Sequence, residues 1–183
     1  MRKMIVIALG VVSIMPGLVF TTTAEGATEE TMIVDVALDC RAFNYNRGVP
    51  LDQIVRGDGF IAAAKIFPAG SLLSGPQSND PSAPGSIGSL VSRGTTTGSL
   101  AEHLANPNAP GVFVTSYLLL NDGRGLVGDG WFAPGGANQT AVTGGWGGFR
   151  GASGEMSFAT IGTNGTGCPN QRITIILVKQ APK

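Results

Sequence analysis

The sequence predicts an all-β protein, an eight-stranded antiparallel up-and-down β-barrel. Three observations lead there. Charged residues make up only 13% of the 183 and Gly numbers 28, the balance of a β protein with many turns. Branched and aromatic residues recur with period two in short runs bounded by Gly, Pro, Asn and Asp. No run of useful length has the spacing of an amphipathic helix, and no internal repeat is visible. The length suits one domain.

Taken in order, residues 31–38 alternate and form the first strand, and breakers at Asn44, Asn46, Gly48 and Pro50 make 39–56 irregular. The second strand spans 59–66 and stops at Pro68 and Gly70. Residues 71–86 are a long Ser/Pro/Gly/Asn loop, and 87–97 form the third strand. Ser99, with Glu102 three residues on, has capping-box spacing and starts one helical turn, which Pro107 and Pro110 end. The fourth strand spans 111–121. Asp122-Gly123 reads as a two-residue hairpin turn into the fifth, 125–132. A short sixth strand, 139–143, leads into AVTGGWGGFRGASGEMSF, residues 141–158. This stretch is a strand, a glycine-packed turn holding Trp146, Phe149 and Arg150, and the start of a seventh strand at 154–163. The eighth, 171–179, sets Ile173, Ile175 and Leu177 on one face. Eight strands leave an interior wide enough for side chains or one small ligand, and closure removes exposed edges.

The N-terminus reads as a secretory signal peptide, residues 1–27. Arg2 and Lys3 precede an apolar run over 4–20, and small residues follow, with cleavage open between Ala24, Gly26 and Ala27. The run is short for a membrane span and lacks a basic stop-transfer cluster, so stable insertion after cleavage is not expected. The expected address is extracellular or periplasmic. In an oxidising compartment the two cysteines, Cys40 and Cys168, pair. One lies just past the first strand and the other just before the last, and closure of the barrel makes those points neighbours.

Zero formal net charge argues against a nucleic-acid partner. The single histidine, His103, sits beside the helical turn as a surface residue, and with two bridged cysteines it assembles no familiar zinc site. The glycines at 144–154 lack the ending of a phosphate loop. Asn138 and Asn164 both open N-glycosylation patterns.

The stretch AVTGGWGGFRGASGE resembles the TGGTGxFxGAxG signature of the dirigent and allene oxide cyclase-like barrels, carried here by Gly144, Gly145, Gly147, Phe149, Arg150, Gly151 and Gly154. Trp146 stands where that signature usually has Thr, which adds bulk to the turn. GDGFIAAAKIFPAG, SIGSLVSRGT and TNGTGCPNQRITIIL are similar to segments of bacterial members. The resemblance implies a calycin-like barrel with a central cavity, no metal and no organic cofactor, and allows a homo-oligomer. It implies a small apolar or phenolic ligand whose reaction the barrel guides, or a cofactor-free cyclase or isomerase acting on an epoxide, polyketide or fatty-acid-like substrate. No catalytic motif aligns residue by residue.

Polar candidates for an inward site are Asp58, Arg93, Tyr117, Asp129, Arg150 and Glu155. Of these Arg93, Tyr117 and Glu155 are the candidates for polarising a carbonyl or epoxide. The plainer reading makes Arg93, Asp129 and Glu155 solvent-facing strand charges, or partners in a structural ion pair with Arg150. Tyr117 shares a face with Phe113, Thr115 and Leu119, and Ser116 with Val114 and Leu118, so alternation alone does not say which face is inside. A third reading is an extracellular structural protein whose barrel is filled by its own side chains.

Overall fold

Alternating branched side chains set the strands, and the strands pair in chain order. A computed structural model describes residues 28–72, 80–106, 111–133 and 138–179. The expected signal peptide lies outside the described residues. The strands are β1 (Thr28–Tyr45), β2 (Gly59–Pro68), β3 (Gly88–Thr96), β4 (Val112–Leu120), β5 (Gly125–Phe132), β6 (Asn138–Trp146), β7 (Ser153–Thr163) and β8 (Pro169–Lys179). Each pairs antiparallel with the next, and β1 pairs with β8 to close the barrel.

β1 is longer than its alternation predicts. Residues 39–45, expected to be irregular, continue the strand after a register shift between Asp39 and Asn44. A bulge of this kind bends a strand without ending pairing. Cys40 therefore lies inside β1. It forms the expected disulfide with Cys168, with sulfurs 2.04 Å apart. The hairpin after β4 also differs. Leu120 donates to the Arg124 carbonyl at 2.9 Å and Gly123 donates to the Leu120 carbonyl at 3.1 Å, so Asn121, Asp122 and Gly123 form a three-residue loop. Gly123 takes the left-handed conformation, φ 84°, that such a loop needs. The helical turn is α1 (Leu100–Ala105), and both halves of the Ser99–Glu102 capping box are present. His103 is buried rather than on the surface, with Nε2 3.5 Å from Thr97 Oγ1.

The inward faces decide what fills the barrel. Val36, Ile66, Leu118, Leu126, Met156, Ile173, Ile175 and Leu177 are 0–1% exposed and form one cluster with Phe149. Phe149 comes from a 3-10 turn, Gly147–Phe149, after β6, so the glycine-rich turn plugs this end of the barrel. Outside the barrel a smaller layer of Ala37, Phe67 and Leu72 lies on β1 and β2. Beside it Asp35 is fully buried, paired with Arg172 Nε at 2.8 Å and accepting the Gly70 and Leu72 amides at 2.8 and 3.2 Å. That carboxylate ties the start of the long loop onto the barrel wall.

Candidate functional site

The end opposite the Phe149 plug is where β1, β3, β5 and β7 finish and β2, β4, β6 and β8 begin. Its rim is apolar and aromatic: Phe60, Ala62 and Val114, with Leu38, Phe43, Tyr45, Val112 and Phe132 half-buried around them. Phe43 stacks on Phe60 with centroids 5.3 Å apart, and Tyr45 meets Phe43 at 5.2 Å and Phe60 edge-on at 6.2 Å. Gly94 makes room for this arrangement, since a Cβ there would sit 2.7 Å from the Phe60 ring. Exposure grades along the axis. Phe60, Phe158 and Ser92 reach 8% near this mouth, against 0–1% deeper in.

Below the rim the inward face turns polar in an otherwise apolar lumen. Ser92 and Ser116, opposite each other on β3 and β4, hydrogen-bond through their hydroxyls at 2.9 Å. Thr140, inward on β6, is buried and its Oγ1 has no hydrogen-bond partner, the one such side-chain atom among the described residues. Gly128 lies beneath it on β5, where a Cβ would come 2.2 Å from the Met156 methyl and 3.2 Å from Thr140 Oγ1. A buried hydroxyl left unpaired costs about 1–3 kcal/mol, so such a group calls for an explanation.

Two titratable groups, Tyr45 and Asp58, stand beside the mouth. Burial, and then the charge of Asp58, push the Tyr45 phenol above its ordinary value, so Tyr45 is a neutral hydrogen-bonding group at neutral pH. Asp58 is held at about 2, first by the Arg47 guanidinium at 2.5 and 2.6 Å and then by the Val55 amide at 2.9 Å. Thr96 donates to the Val55 carbonyl at 2.5 Å. These bonds fasten the 46–58 loop beside the opening.

The residues singled out as polarising candidates face the other way. Arg93, Tyr117 and Glu155 alternate with the buried Ser92, Ser116 and Met156, which places all three on the outer wall. Arg93 and Tyr117 do meet, the guanidinium carbon 5.6 Å from the ring centroid. Glu155 stands apart on β7, opposite Ala141 and Ile176, and is exposed. Asp129 is outward too. Hydroxyl hydrogen bonds from Thr115 and Thr143, the latter at 2.6 Å, hold its carboxyl below the usual range against some burial, helped by Arg93. Arg150 is exposed in the glycine turn. Asn164 is buried, donating to the Leu38 carbonyl and to Asn170 Oδ1 at 2.8 and 3.0 Å, so its glycosylation pattern is out of reach in the folded chain.

Sequence reasoning missed the mouth. Ser92, Ser116 and Thr140 were legible only as small hydroxyl residues inside apolar period-two runs. Phe43 and Tyr45 lay in a segment read as irregular. The signal that could have found them was a hydroxyl on the same parity as Leu90, Leu118 and Val142.

No family model matches the sequence, and no curated protein is recognisably similar to it. Solved structures do share the architecture. A structure described as pyocyanin demethylase superposes with a TM-score of 0.54 at 16% identity, over 81% of this chain and 99% of that one. A pterocarpan synthase dirigent protein gives a TM-score of 0.59 at 12% identity, over 88% and 91%. A nonspecific heme-binding cyclase that catalyses a [4 + 2] cycloaddition gives 0.50 at 16%, over 87% and 70%. At these identities the likeness is one of fold. The chain shares the closed eight-stranded antiparallel barrel fold with these structures.

Proposed function

Because the chain shares its barrel with dirigent proteins and with a ring-forming cyclase, we propose that it is an exported binder of small, largely apolar molecules carrying one polar group, phenols in particular. The ligand enters at the aromatic mouth and places its hydroxyl against Thr140 and the Ser92–Ser116 pair. The carrying observation is the unpartnered, buried Thr140 hydroxyl, with Gly128 of β5 between it and the buried Ser92–Ser116 pair. A ligand hydroxyl both donates and accepts, so it completes Thr140 without disturbing the serine bond. The disulfide and the signal-like N-terminus support export.

Any effect on a bound molecule's reaction comes from the pose. The buried side chains around the Ser92–Ser116 pair and Thr140 are largely apolar, and the Tyr45 phenol stands at the rim. Apolar walls that fold a flexible substrate supply orientation, which alone lowers a barrier when the bound pose approaches the reacting geometry.

The test compares 4-propylphenol with propylbenzene by calorimetry. The wild type should prefer the phenol by about tenfold, the worth of one hydrogen bond. Thr140→Val should abolish that preference while leaving propylbenzene binding unchanged. Binding of neither compound, or a preference that survives Thr140→Val, would overturn the assignment.

A further inference from the structure

The outer wall of β3, β4 and β5 carries a cleft that the mouth does not use. Its volume is about 620 Å3, and Arg93, Thr95, Phe113, Thr115, Asp129 and Trp131 line it. Phe113 and Trp131 are cross-strand partners, pointing out from β4 and β5. They are 58% and 42% exposed, unusual for rings of that size. One row along, Arg93, Thr115 and Asp129 lie side by side across the same three strands. A second hollow of about 490 Å3, bordered by Arg56, Glu102, His103 and Asn106, adjoins the first, and Phe113 lines both.

We propose that this outer wall is a binding groove for a neutral oligosaccharide, with sugar rings seated on Phe113 and Trp131 and their hydroxyls held between Arg93 and Asp129. A pyranose ring has a face of C–H groups and an edge of hydroxyls. The face stacks on an aromatic ring, whose electron-rich surface attracts polarised C–H groups. The edge needs donors and acceptors together. Arg93 offers only donors, and ionised Asp129 only acceptors, so one cleft answers both halves of a hydroxyl. Their opposite charges cancel locally, so an anionic ligand meets Asp129 and a cationic one meets Arg93. Both polar groups are already positioned. Arg93 lies over Tyr117, and Asp129 is braced by the Thr143 and Thr115 hydroxyls, so little side-chain freedom is lost on binding. Two hollows that share Phe113 suit several linked rings better than one.

The experiment is calorimetry on the full exported chain with cellotetraose, maltotetraose and tetragalacturonate. It is paired with Trp131 emission in a Trp146→Phe variant, which leaves a single tryptophan of the two in the chain. At least one neutral tetramer should bind with micromolar to millimolar affinity and shift Trp131 emission, and tetragalacturonate should bind about tenfold more weakly or not at all. Trp131→Ala and Asp129→Asn should each weaken the neutral sugar by about tenfold or more, while 4-propylphenol binding stays unchanged in both. Failure of both neutral tetramers in the wild-type calorimetry, stronger binding of the acidic one, or neutral-sugar affinity undiminished in Trp131→Ala would overturn the proposal. Because the phenol and the sugar are measured separately, each reading can fail without the other.

Discussion

Gly154 sits at φ 147°, and a Cβ there would lie 1.9 Å from the Ile176 carbonyl oxygen on β8. That oxygen belongs to backbone in the β7–β8 ladder, so it cannot move aside cheaply. Gly154→Ala should cost about 1–3 kcal/mol, the usual penalty for a forced backbone. Ser153→Ala, one residue away and exposed, should be near neutral. Urea midpoints of the two variants check this, and equal midpoints would refute it. The contrast with Gly144 is instructive, since nothing lies within 4 Å of a Cβ placed there. Glycines of one signature therefore do different work. Gly125, from outside the signature, is the one that meets Trp146, whose ring would be 2.1 Å from an added Cβ. In the core, Ile175→Ala should cost about 2–5 kcal/mol, because its fully buried site lies among other strand side chains that cannot collapse freely.

At the scale of elements, the loop between β1 and β2 depends on one carboxylate. Asp58 accepts from Arg47 and from the Val55 amide, and its value falls from the ordinary 3.8 to about 2. A depressed carboxyl stabilises the fold fully above the unfolded value, and the contribution fades as pH falls through the folded one. Amide protection in residues 46–58, taken relative to the intrinsic exchange rate at each pH, should therefore fall between about pH 4 and pH 2, ahead of protection in β8. Arg47→Ala should produce the same loss of protection at neutral pH. Simultaneous loosening of β8 and this loop on acidification would mean that Asp58 does not fasten the loop.

The whole molecule is closed twice, once by the β1–β8 ladder and once by the bridge from Cys40 to Cys168, 128 residues apart. Linking points so distant in sequence restricts the unfolded chain by about 5 kcal/mol in the loop-entropy treatment. Cys40→Ala with Cys168→Ala should lower stability by roughly 2–5 kcal/mol and leave the far-ultraviolet spectrum unchanged. The ladder from Thr28 to Ala37 pairs with β8 independently of the sulfurs. Loss of β structure in the double variant would show that closure depends on the bridge.

Strand existence, order and turn positions were written in local chemistry, because period-two apolar runs and Gly, Pro, Asn and Asp act over a few residues. The Cys40–Cys168 pairing followed once eight strands were counted, since closure of an even, antiparallel set returns the last strand to the first. Facing was not written there. Tyr117 and Ser116 sit on runs apolar on both sides, and only the closed curvature put Ser116 inside and Arg93 with Tyr117 outside. The continuation of β1 through Phe43 and Tyr45 also needed β2 as a partner, because a bulge is defined by the strand it faces. Local residue preferences determined the strands of this barrel. Only contact between strands far apart in the chain decided which side chains share a space, and that decision places its mouth and its outer cleft.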